Sequence, residues 1–160
     1  MKTGLLVISH GSRDLTWVTL VDEAIAKAQW PEGLPVASSF LECVPGRSSQ
    51  EGIDELDAQG VEQLAVIPLF VSSGSTHVDE IAWALGVTEE PLAATELTRF
   101  RVRAAVLYGR PLDEHEAVLA MIADRLAKLA VGEGSVRALL VAHGSPHEPF
   151  QTRWRAGWAR

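Results

Sequence analysis

The chain holds a single cysteine, Cys43, among 160 residues. Disulfides within the chain and cysteine-rich zinc sites are therefore excluded, which fits a reducing compartment. Aromatic residues are sparse at 6%, and cations are outnumbered, 14 Lys and Arg against 21 Asp and Glu, for a formal charge of −7. That sign argues against nucleic acid or an anionic membrane as partner and for a small molecule or a protein. No apolar run reaches the roughly 20 residues of a membrane span. The stretch 5–8 stops at Ser9-His10-Gly11-Ser12, too short for the apolar core of a signal peptide, so the cytoplasm is the expected location. Also missing are the Gly-x-x-x-x-Gly-Lys-Ser/Thr phosphate loop, the Gly-x-Gly-x-x-Gly dinucleotide fingerprint and the Gly-x-Ser-x-Gly elbow. Nucleotide binding and serine hydrolysis thus lack their usual residues.

What is present has globular proportions: 47% apolar residues, 13 Gly and 8 Pro. Short apolar runs at 5–8, 36–41, 64–70, 102–107 and 138–142 alternate with amphipathic stretches, the pattern of βα units around a parallel sheet buried on both faces. Residues 15–30 read as a helix with Val18, Val21, Ile25 and Ala28 on one side. A second helix opens on a Ser48–Glu51 capping box, turns Ile53 and Leu56 to the sheet and ends at Gly60. A third opens at Thr76 with Asp79 as its acidic partner, carries Ile81, Trp83 and Leu85, and closes at Gly86. A fourth runs from Asp113, paired with Glu116, points Val118, Leu119, Ile122, Leu126 and Leu129 inward, and stops near Gly132. Residues 87–99 have no period, and a loop of that length is expected to be functional or mobile.

The segment Val7-Ile8-Ser9-His10-Gly11-Ser12 reappears near the other end of the chain as Leu140-Val141-Ala142-His143-Gly144-Ser145. Duplication is the favoured explanation: residues 1–132 form one domain, and 133–160 the first strand and helix of a partial second copy. Phe150, Trp154 and Trp158 then sit on a helix without its own domain. They must pack elsewhere, support a homodimer through 133–160, or mark a truncated or longer natural chain.

In a parallel α/β sheet, the loops leaving the carboxyl ends of the strands gather on one edge, where ligands bind. His10 follows the first strand, Glu42 the second, and His77 the third at the start of its helix. Two imidazoles and a carboxylate on one rim suit a divalent transition metal and can accept protons. Each alone also reads as a structural residue: a hydrogen-bonded histidine at a strand end, a glutamate closing a turn. Cys43 reads as a small buried filler. Ser72-Ser73-Gly74-Ser75 reads as a small-residue loop that lets a flat ligand approach the backbone. Arg13, Arg47 and Arg110 fall in loops at the rim and are candidates to meet an anionic ligand.

Three ordered motifs carry a resemblance over residues 4–130. They are Leu5-Leu6-Val7-Ile8-Ser9-His10-Gly11-Ser12-Arg13-Asp14, then Phe40-Leu41-Glu42 with Pro45, then Val66-Ile67-Pro68-Leu69-Phe70-Val71-Ser72-Ser73-Gly74 leading to His77-Val78. Together they resemble the CbiX and SirB type sirohydrochlorin chelatases. The resemblance implies a flavodoxin-like, three-layer chelatase-like α/β fold. It implies a lyase-class enzyme that inserts a divalent metal, cobalt, iron or nickel, into the tetrapyrrole sirohydrochlorin on the route to cobalamin or sirohaem. No ATP, nucleotide or redox cofactor is implied, and the metal is a substrate. Carried over by motif, His10, His77 and Glu42 handle the metal and the pyrrole protons, while Ser12, Arg13, Ser72, Ser73 and Gly74 contact the macrocycle. Where the family pattern has one residue between Gly and His, Ser75 and Thr76 both intervene here, which predicts a displaced His77. The family's Asp-Ile-Pro is replaced by Asp79-Glu80-Ile81-Ala82. The alternatives are a non-catalytic chelatase-like module that binds metal or tetrapyrrole within a larger protein, and a hydrolase or phosphatase built on His10.

Overall fold

The computed structural model of the chain describes residues 1–113, 115–129, 137, 139, 141 and 143–158. Four strands, β1 (Thr3–Ser9), β2 (Val36–Phe40), β3 (Gln63–Pro68) and β4 (Ala105–Tyr108), form one parallel sheet in the order β2-β1-β3-β4. This is the order of a flavodoxin-like sheet. Among the described residues five helices accompany it: α1 (Leu15–Lys27), α2 (Ser49–Ala58), α3 (Thr76–Ala84), α4 (Glu116–Leu129) and α5 (Phe150–Trp158). The β1-to-β2 connection runs in the opposite direction to those from β2 to β3 and β3 to β4. Right-handed crossovers therefore place α1 on one face and α2 and α3 on the other, giving three layers.

β1 is central, and every residue from Gly4 to Ser9 is buried. Leu6 and Ile8 meet Ile53, Leu56, Leu64, Val66, Val78 and Ile81 in the main core cluster. Truncating a side chain this deep costs about 2–5 kcal/mol. α2 begins as expected, with Ser48 accepting from the Glu51 amide while the Glu51 carboxylate takes the Ser48 amide at 2.7 Å. α1 is capped by Asp14, which accepts from the Thr16 amide at 2.9 Å. It buries Val18 alone; Ala28 lies beyond its end and is exposed.

α3 is not opened by a Thr76–Asp79 box: its N-cap is Ser75, without a side-chain bond, and Asp79 is buried and accepts from the Leu92 amide at 2.7 Å. That bond ties down the segment that the absence of a period left open. Asp113 does not cap α4, because its carboxylate accepts the Ser73 amide across the loops; His115 Nδ1 takes the Ala117 amide instead. The apolar stripe of α4 is not inward: Leu119, Leu126 and Leu129 are 54%, 43% and 74% exposed. Among the described residues the sheet ends at β4, and α4 has no further strand to pack on. Cys43 is exposed, in a turn with φ of 64°, rather than a core filler.

The fifth run, 138–142, lies largely outside the described residues; Leu139 and Val141 are described and exposed. Phe150 of α5 is wholly buried, and the Trp154 ring lies directly on Gly74. Both aromatics therefore pack within their own chain; the side chain of Trp158 lies outside the described residues. Among the described residues no helix is long and apolar enough to cross a membrane.

Arg47 is a tie rather than a rim cation. It grips Asp22 of α1 at 2.7 and 2.8 Å and stacks 4.8 Å from the Phe40 ring centre, fastening α1 to the end of β2. The Arg47 bonds hold the Asp22 carboxyl below its ordinary value of 3.8. A depressed carboxyl stabilises the fold above that value, and the contribution disappears as pH falls through the folded-state value. We expect Asp22→Asn to lower stability by at most about 1 kcal/mol near neutral pH, since the pair is partly exposed. In thermal melts the difference from the wild type should shrink as pH falls below 3.8 and vanish once Asp22 is protonated in the folded state.

Candidate active site

The site begins where the β1–β2 ladder runs past the ends of its strands. The Leu41 amide donates to the Ser9 carbonyl at 3.0 Å and the Glu42 amide to the His10 carbonyl at 3.1 Å. This continued pairing sets Glu42 beside His10, with Oε1 3.5 Å from Nδ1. The approach is so close that a Cβ on Gly11 would fall onto the Glu42 carbonyl oxygen, and Gly11 has φ of 102°. Only glycine fits there.

β3 supplies the other half. The Leu69 amide bonds to the Ile8 carbonyl at 2.8 Å, and the chain then turns through residues 70–75 into α3. Ser72 is buried and accepts from the Gly74 amide at 3.0 Å. The first turn of α3 is anchored by Tyr108 of β4, whose hydroxyl donates to the Val78 carbonyl at 2.7 Å. Burial, with the Asp79 carboxylate nearby, pushes the Tyr108 hydroxyl far above its usual value, so it remains a donor.

The result is an imidazole pair. The His10 and His77 ring centres are 4.7 Å apart, edge to face, with Phe70 5.9 Å from His77. His77 therefore stays within reach of His10, although both Ser75 and Thr76 precede it. Its Nδ1 lies 3.1 Å from Glu80 Oε2, one turn further along α3. A ring nitrogen facing a carboxylate must carry the proton, so Nε2 of His77 presents its lone pair. His10 Nδ1 lies 3.2 Å from the Gly11 carbonyl oxygen, which leaves its Nε2 in the same state.

Both rings line a cavity of about 870 Å³. Its walls are Phe70, Val71, Ser72, Ser75, Thr76 and Glu80, then Leu92, Ala93 and Ala94 of the irregular segment, and His143, Ser145, Pro146, His147, Glu148 and Trp154. Of the expected catalytic, metal-handling and macrocycle-binding residues, His10, His77 and Ser72 meet in this cavity. Glu42 touches His10 without lining it. Ser12 takes the Asp14 amide at 3.0 Å, and Arg13 is exposed beside it. Gly74 lies beneath Trp154, and Ser73 turns to a second cavity with Arg110 and Asp113. Among the described residues no three His, Cys, Asp or Glu side chains are grouped to hold an ion without a further ligand. Glu80 went unread in the sequence, although its spacing of three from His77 on a helix was the available signal.

The fold and the site define a flavodoxin-like α/β protein with a carboxylate-oriented imidazole pair at the carboxyl edge of its sheet. The family model described as CbiX matches residues 4–129, and the chain belongs to that family. It is 27% identical over 127 residues to a sirohydrochlorin cobaltochelatase of Methanococcoides burtonii, covering 78% of this chain and 94% of the relative. A sirohydrochlorin cobaltochelatase of Priestia megaterium is 29% identical over 122 residues, 76% of this chain but 37% of the relative. The structure of SirB from Bacillus subtilis with Fe3+ superposes with a TM-score of 0.57 at 22% identity, over 82% of this chain and 49% of that one. SirB from Bacillus subtilis subspecies spizizenii in complex with cobalt gives 0.55 at 24% identity, over 81% and 52%. The chain thus spans about half of each SirB chain, and these likenesses show the fold.

The Gly11 contact yields a prediction. Gly11→Ala must strain φ and push the β1 and β2 loops apart, costing at least about 2 kcal/mol. In thermal melts it should lower Tm well below that of Gly33→Ala, whose neighbourhood is open although its φ is also positive.

Proposed function

We propose that the chain is a sirohydrochlorin chelatase that inserts a divalent metal into the free-base tetrapyrrole without ATP. The observation that carries this reading is the His10–His77 pair, its Nε2 lone pairs free and one ring held by Glu80, beside a cavity of about 870 Å³. Neutral imidazoles are borderline ligands that suit cobalt, iron or nickel, and two of them leave most of the ion's coordination sphere open for transfer to pyrrole nitrogens. The carboxylates of Glu42 and Glu80 orient the rings and offset the ion's charge.

The macrocycle enters between the Ser72 to Thr76 turn and the Leu92 to Ala94 wall. Small and apolar side chains there allow a flat ring to lie against backbone. Gly74 and Ser73 shape the turn from behind, Ser12 fixes the loop after His10, and exposed Arg13 is placed to meet a peripheral carboxylate. A tetrapyrrole must be bent before a metal can reach its nitrogens, and contacts along this wall supply that distortion. A second reading, favoured by the absence of a three-ligand group among the described residues, is a non-catalytic module that holds metal or tetrapyrrole.

Anaerobic absorbance of sirohydrochlorin with Co2+, Fe2+ or Ni2+ separates the readings. We expect metallation faster than the spontaneous rate, reduced at least about a hundredfold in His10→Ala and His77→Ala. Glu80→Gln, which keeps the size but loses the charge, should cost about 10–100-fold. Binding of the tetrapyrrole without acceleration would favour the holding module, and acceleration that survives both histidine changes would refute the assignment.

A further inference from the structure

The two His-Gly-Ser segments are alike in conformation as well as in sequence. In the first loop His10 Nδ1 lies 3.2 Å from the carbonyl oxygen of Gly11; in the second, His143 Nδ1 lies 2.9 Å from that of Gly144. Both glycines have positive φ, 102° and 69°. Ser12 Oγ accepts from the Asp14 amide at 3.0 Å, and Ser145 Oγ from the His147 amide at 3.3 Å, two residues on in each case. Each loop then enters a helix, α1 or α5. These paired contacts support reading 133–160 as the opening of a second copy of the first unit.

Both loops open onto one cavity. His143 lines it together with His10 and His77, and comes from the wall built by the C-terminal segment. That segment is seated on the first unit by buried Phe150 and by Trp154 against Gly74. With its Nδ1 proton directed at the Gly144 carbonyl, His143 offers the cavity an Nε2 lone pair. No carboxylate pairs with its ring among the described residues, and His143 does not join His10 and His77 in a three-ligand group. It is poorly equipped to hold an ion and well placed to take a proton.

We infer that His143 is the proton acceptor on the second wall of the site, an inference that rests on the metal-insertion reading. Insertion of M2+ into a free-base tetrapyrrole releases two pyrrole N–H protons, with no change of oxidation state. An ion delivered by His10 and His77 occupies the face of the ring turned to them, so at least one proton departs from the other face. His143 Nε2 accepts that proton as a metal–nitrogen bond replaces the N–H bond, and its solvent-exposed ring passes it to water, while the second N–H proton leaves directly to solvent water. The duplication then has a chemical purpose: one copy of the loop handles the ion, the other the proton.

The test compares wild type, His143→Gln and His143→Ala in the metallation assay, with Co2+ titrations of the protein alone and circular dichroism to confirm folding. We expect kcat to fall at least tenfold in both variants, Co2+ affinity to stay within twofold of wild type, and added imidazole to restore part of the rate in His143→Ala. Unchanged kcat beside an active wild type overturns the role of His143 alone. A fall in Co2+ affinity makes His143 a ligand and overturns its role as acceptor. A wild-type chain that does not accelerate metallation overturns the underlying reading, and the inference with it.

Discussion

Parallel pairing of β1 with β2 on one side and β3 on the other is the constraint from which the rest of the molecule follows. A strand hydrogen-bonded at both edges and buried on both faces has no freedom of register: a slip of one residue would reverse which side chains face α1 and which face α2 and α3. Because all three strands run the same way, their carboxyl ends finish together. The pairing continues past the strands, through the Glu42 amide on the His10 carbonyl, so the core ladder itself delivers the first site residues. Gly11 marks the tightest point, where two backbones meet with no space for a side chain.

The second half of the site depends on a short turn rather than a ladder. Residues 70–75 leave β3 and enter α3 held by the Ser72 hydroxyl, the Asp113 carboxylate on the Ser73 amide, and Tyr108 beneath the first turn of α3. The turn brings His77 to within 4.7 Å of His10, ring centre to ring centre. The helix continues to Glu80, whose carboxylate fixes the ring that the turn delivers. Position comes from the loop and orientation from the helix.

The C-terminal segment changes the meaning of the cavity. With it, the cavity lined by His10 and His77 gains a third imidazole, His143, in the same local conformation as His10. Phe150 and Trp154 act as the fasteners, and Gly74 is the position that admits Trp154. The segment is thus joined to the site by packing as well as by sequence similarity.

Much of this was legible in the sequence. The four strands of the sheet, the Ser48–Glu51 box and the rim positions of His10, Glu42 and His77 follow from apolar periodicity and capping chemistry, which are local. Three of the misreadings share one cause, which is that a side chain able to act locally found a better partner further away along the chain. Asp79 went to Leu92, Asp113 to Ser73 and Arg47 to Asp22, while the stripe of α4 found no strand to cover it. Glu80 and His143 were visible only as a charge on a helix and half of a repeat. Periodicity and caps alone determined the parallel α/β sheet and the edge on which chemistry gathers, because those signals act over a few residues. Which residues meet on that edge was decided by tertiary structure, since a contact between residues 10, 77 and 80 and a wall at 143 depend on how loops far apart in the chain are closed by packing.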